Sequence, residues 1–135
     1  MSYIDIALLP GITSIDLKNL KNLGIDTNLA LLKYGCDRPK QQELAIKMGV
    51  NLKNVLKWIA LADLSRLESV GNQYCGLILH SGVISCRQLA QTSVPQLHRQ
   101  ILKLQVSHFG TKKECPPLSL VKTWVKEARQ LGIRN

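Results

Sequence analysis

The sequence predicts an all-α fold: a bundle of about eight helices in which the second half repeats the first under a pseudo-twofold relation. Three observations carry this expectation. Leucine, isoleucine and valine recur at helical spacing in segments punctuated by glycine, and no segment reads persuasively as a strand. The two halves also align at a constant offset of 58, which sets Gly24 on Gly82, Ile25 on Val83, Thr27 on Ser85 and Leu31 on Leu89. Further along, Val55, Trp58, Ile59 and Ala62 answer Val121, Trp124, Val125 and Ala128 once eight residues are inserted near Phe109 to Cys115. Residues 1–135 are therefore expected to form one compact domain of two repeats, about 9–66 and 67–132.

The elements follow in order. After a short N-terminal piece, Leu9-Pro10-Gly11-Ile12 is a turn signal and Thr13-Ser14 a helix N-cap. Ile15, Leu17, Leu20 and Leu23 stripe the first helix, and Gly24 stops it. Asp26-Thr27 caps a second helix that ends at Gly35. Asp37-Arg38-Pro39 starts a third, with proline in its first turn, ending at Gly49. Asn51 caps the fourth, where Leu52, Val55, Leu56, Ile59 and Ala60 form one stripe.

The same grammar then restarts. Gly71 opens a helix bearing Tyr74, Leu77 and Ile78 that stops at Gly82, and Ile84-Ser85 begins a short one with Leu89. Ser93-Val94-Pro95 caps a helix through Leu97, Ile101 and Leu104, and a looser connection runs from Ser107 to Pro117. The last helix carries Leu118, Val121, Trp124, Val125, Ala128 and Leu131 on one side. The first turn lacks the long preceding helix that the second possesses. The Trp124 helix is therefore expected to fold back beside Leu9 to Leu23 and close the domain.

Composition bounds the function. Apolar residues make up 45% and aromatics 4%, so aliphatic side chains fill the core, with Trp58 and Trp124 as its few large anchors. No apolar run approaches a membrane span, and the start lacks the pattern of a signal peptide, so a soluble cytoplasmic protein is expected. Cys36, Cys75, Cys86 and Cys115 form no C-x-x-C pair and are expected as reduced, structural thiols; Cys75 and Cys86 stand at the repeat positions of Leu17 and Asn28. The net charge of +9, from 18 basic against 9 acidic residues, favours a polyanionic partner. The excess is larger beyond Ala60, ten basic against four acidic, than before it, eight against five.

Leu9-Pro10-Gly11-Ile12 and Leu67-Glu68-Ser69-Val70-Gly71, with the elements after them and the two tryptophan helices, resemble the helix-hairpin-helix superfamily. In particular they are similar to a bacterial family of tandem hairpin domains whose function is not established. The resemblance implies a tandem helix-hairpin-helix bundle. In DNA-binding members the hairpin reads apolar-Gly-apolar-Gly, and amides at the following helix start donate to a phosphate, helped by the helix dipole. Here each copy keeps half of that motif: the first has Gly11 but Thr13 for the second glycine, and the second has Gly71 but Ser69 for the first.

The implied nucleic-acid contacts are Gly11, Ile12 and Thr13 in the first turn, and Ser69, Val70, Gly71 and Asn72 in the second. Lys18 near the first turn, and Lys57 and Arg66 near the second, are the expected phosphate partners. Such contacts hold the sugar-phosphate backbone without reading bases. No catalytic constellation is legible, and His80, His98 and His108 are not spaced as ligands, so no metal, cofactor or small-molecule substrate is expected. The expected function is a non-enzymatic module binding nucleic acid without sequence preference. The alternative is a protein-interaction adaptor built on degenerate hairpins.

Overall fold

The computed structural model describes residues 3–109 and 115–134. Among the described residues it contains eight α-helices: α1 (Ser14–Asn22), α2 (Asn28–Tyr34), α3 (Arg38–Met48), α4 (Leu52–Leu64), α5 (Gly71–His80), α6 (Cys86–Ala90), α7 (Val94–Phe109) and α8 (Leu118–Arg134). The fold is all-α. The only sheet-like feature among these residues is one isolated bridge between Asp5 and Thr27.

Local chemistry places the boundaries. Thr27 Oγ1 accepts from Ala30 N at the start of α2, Asp37 Oδ1 from Lys40 N at α3 and Asn51 Oδ1 from Lys53 N at α4. Ser85 Oγ accepts from Gln88 N at α6. Each side-chain oxygen satisfies an amide that the helix start leaves unpaired. Gly24 and Gly82 end α1 and α5 with φ of +81° and +103°, in the left-handed region that a Cβ penalises.

The N-terminal piece is more organised than its sequence suggests. Ile6–Leu8 forms a single 3-10 turn capped by Asp5, and Ile6 is fully buried. Ile6 N donates to Asp26 O and Asn28 N to Ile4 O. Asn28 is itself buried: its Oδ1 accepts from Ile4 N and its Nδ2 donates to Ser65 Oγ, which donates on to Ala62 O. This chain of bonds ties the N-terminal piece to the end of α4.

Inter-helix packing follows the same plan in both halves. In the first, α4 lies against α2 and α3 and α1 touches α3; in the second, α8 lies against α6 and α7 and α5 touches α7. The junction is the packing of α4 on α5. Val55, Trp58, Val121, Trp124, Val125 and Ala128 are all buried, as core anchors should be.

Three expectations need correction. The Trp124 helix does not run beside Leu9 to Leu23; it packs on α6 and α7 of its own half. Trp124 instead meets Tyr74 of α5, ring centroids 5.1 Å apart, and its Nε1 donates to Ser69 O. The first turn has other neighbours: Pro10 lies against α5, its Cγ 3.2 Å from where a Cβ on Gly76 would stand. Second, α7 extends to Phe109, so the connection expected from Ser107 begins later. The insertion expected near Phe109 to Cys115 falls chiefly on 110–114, outside the described residues. Third, the cysteines are free, as expected, but Cys36 is exposed rather than structural.

Candidate nucleic-acid interface

The turns at Leu9–Ile12 and Leu67–Gly71 differ in what their backbone amides face. At the first, Gly11 has φ +79°, and Gly11, Thr13 and Ser14 are exposed while Ile12 is half-buried. Thr13 Oγ1 caps α1 by accepting from Asp16 N. Pro10 and Gly11 form a turn, and among the described residues nothing accepts from the N–H groups of Gly11 or Thr13. Two donors beside a helix start thus remain available to an anion.

Lys57 belongs to this first turn, not to the second. Its Nζ lies 3.6 Å from where a Cβ on Gly11 would stand, so the ammonium rides over the turn from α4. Lys57 and Lys18 are both exposed, and among the described residues neither forms an ion pair. Gly11, Ile12, Thr13 and Lys57 are therefore brought together, with Lys18 on the α1 that follows.

The second turn is stapled from within. Glu127 of α8 places Oε2 2.7 Å from Glu68 N, and Oε1 3.0 Å from Ser69 N and 2.5 Å from Ser69 Oγ. Val70 N and Gly71 N both donate to Leu67 O. Val70 is buried, Gly71 has φ +52°, and Asn72 is exposed at the start of α5. Of the four expected contacts, Glu127 thus takes the Ser69 amide and Leu67 O takes those of Val70 and Gly71, while among the described residues nothing accepts from Asn72 N.

Arg66 is also engaged internally. Its Nη2 lies 2.6 Å from Asp63 Oδ1 and its Nε donates to Asp63 O, with the side chain only 19% exposed. The other Asp63 oxygen accepts from Cys86 N, and Cys86 Sγ donates to Asp63 O. The network joins the end of α4 to the start of α6. Burial pushes the Cys86 thiol up to about 12, with the Asp63 charge adding to it, and burial pushes Cys75 up to about 11. Both thiols are protonated at neutral pH, which leaves them as small apolar side chains rather than nucleophiles.

Sequence reasoning overlooked Glu127 and Asp63, although each left a trace. Glu127 stands at the repeat position of Leu61, a fully buried side chain, so a carboxylate there required a polar partner. Asp63 and Arg66 are three apart at a helix end, the spacing of a local ion pair. Among the described residues no group of three or more His, Cys, Asp or Glu side chains is placed to hold a metal. None of the helices among the described residues is long and apolar enough to cross a membrane.

Fold and surface thus define an all-helical domain with one open, basic turn and one closed turn. The chain belongs to a family described as a domain of unknown function (DUF4332), whose model matches residues 10–131. No curated protein and no solved structure matches the chain.

Proposed function

We propose that the protein is a non-enzymatic binding module of tandem helix-hairpin-helix type that holds the sugar-phosphate backbone of nucleic acid without reading its bases. The first turn is the contact. The observation that carries the proposal is the Lys57 ammonium lying over the Gly11 turn beside the unpartnered amides of Gly11 and Thr13. Lys18 adds a second cation, and the net charge of +9 draws a polyanion to the surface. The duplicated arrangement is supported by the matched caps at Thr27 and Ser85, the matched glycines 24 and 82, and the repeated packing of last helix on second and third.

Anisotropy of labelled random-sequence duplex and single strands against protein concentration tests this. Two lysine contacts give a salt slope of about −2, so affinity falls about tenfold for a fourfold rise in salt. Lys57→Ala and Lys18→Ala each weaken binding and reduce that slope by about one. Absence of binding at low salt, or binding that ignores Lys57→Ala, excludes the first turn as the contact.

The stapled second turn favours a second reading, a protein-interaction adaptor. With Glu127 on the Glu68 and Ser69 amides, only half of a paired-hairpin clamp faces solvent. A protein partner that co-purifies with the native chain after nuclease treatment supports this reading, and loss of every partner on nuclease treatment supports the first.

A further inference from the structure

A groove of about 1080 Å³ runs along the outer face of α4, walled by the α2–α3 junction on one side and the α5–α6 junction on the other. Its floor is aliphatic, built from Leu32, Leu56, Ile59, Leu79 and Ile84. Ile84 is 61% exposed and continues the aliphatic lining to the surface. The rim is cationic. Arg38, Lys53 and Lys57 are exposed, and among the described residues none of them forms an ion pair. The carboxylate on the wall, Asp63, is already neutralised by Arg66 at 2.6 Å.

We infer that this groove docks an amphipathic helix of a partner protein, with an apolar stripe flanked by aspartate and glutamate. An aliphatic trough accepts side chains at i, i+3, i+4 and i+7 of a helix, and the three cations select acidic flanks and speed encounter. The 13 residues of α4 span about 20 Å, which matches a docked helix of about four turns. A nucleic-acid strand fits the trough less well. No Phe, Tyr or Trp lines it, so exposed bases would find none of the ring platforms that stack them. The inference rests on the adaptor reading, and it uses a face that shares only Lys57 with the first turn.

Cys36 provides the readout, because it is exposed and lines the groove while Cys75 and Cys86 are buried. In a Cys115→Ser background, Cys36 alkylation is timed with three probes. The first is a synthetic helix of about four turns bearing a leucine stripe flanked by glutamate. The second is the same peptide with each glutamate replaced by lysine, and the third is a random single-stranded oligonucleotide. The acidic peptide is expected to slow alkylation about tenfold when about nine-tenths of the sites are filled. Ile84→Asp and Lys53→Glu, both at exposed positions, are each expected to remove that protection with the unfolding midpoint retained. No protection by the acidic peptide, or equal protection by the lysine peptide, overturns the inference. Protection by the oligonucleotide instead reassigns the trough to nucleic acid. An acidic peptide that binds by anisotropy but leaves Cys36 and the Ile84→Asp variant unaffected overturns the groove while leaving the adaptor reading standing.

Discussion

Glu127 shows how one side chain fastens a turn from another helix. Its side chain accepts from two backbone amides and one hydroxyl, three bonds to one group on a helix whose core-facing residues are otherwise apolar. In Glu127→Gln one acceptor oxygen becomes an NH2 facing donors. The expected loss is about 1–3 kcal/mol, read as a lower urea midpoint at unchanged slope. Ser69→Ala removes one of the same three bonds, so the double variant should lose less than the sum of the singles. Additive losses would mean that the two side chains do not act on each other. The buried thiols give a second prediction at this scale. Cys86 and Cys75 have folded values of about 12 and 11, raised from 9.0, so folding favours their protonated forms. Their contribution is complete below about pH 9 and is lost as pH climbs through 11 and 12. Thermal midpoints should therefore fall above pH 9, and less steeply in a Cys75→Ala, Cys86→Ala double variant. Equal slopes in the two proteins would contradict the assignment.

At the scale of elements, the α2–α4 contact is close where Gly35 meets Ile59. A Cβ on Gly35 would stand 2.8 Å from Ile59 Cδ1, although the backbone there, at φ −104°, accepts any residue. That methyl is the far end of a rotatable, half-buried side chain, so Gly35→Ala is expected to destabilise by about 0.5–1.5 kcal/mol as Ile59 is turned aside. Ile59→Val removes the Cδ1 atom, so adding it should recover part of the loss; calorimetric melting that shows no recovery would place the strain elsewhere. This contact also marks what the sequence makes legible. Helix starts at Thr27, Asp37, Asn51 and Ser85, and the left-handed stops at Gly24 and Gly82, are local and are written in short stretches of chain. Burial of Trp58 and Trp124 follows from their apolar stripes. The neighbours of each turn are not local: Lys57 reaches Gly11 across 46 positions, and Glu127 reaches Ser69 across 58. Proximity along the chain placed Lys57 and Arg66 together at the second turn, whereas tertiary packing sends one to the first and folds the other onto Asp63.

At the scale of the molecule, α8 closes the second half in the way α4 closes the first, and this sets what its removal must do. Val121, Trp124, Val125 and Ala128 are buried; the two valines and the tryptophan contribute about 1.5–3 kcal/mol each by leaving water. Their sum is comparable with the whole stability of about 5–15 kcal/mol expected of a domain. Truncation after Pro117 also strips the partner from Glu68 N and Ser69 N, uncovers Tyr74, and frees Ala90 O, which accepts from Arg129 Nε. The first half keeps α4 on α2 and α3 and the Asn28–Ser65 bond. The truncated chain should therefore lose its sharp thermal transition. In hydrogen exchange, protection should vanish from α5, α6 and α7 while a remnant persists in α2 to α4. A single cooperative melt with protection retained in α6 would show that α8 only decorates a core the other helices complete without it.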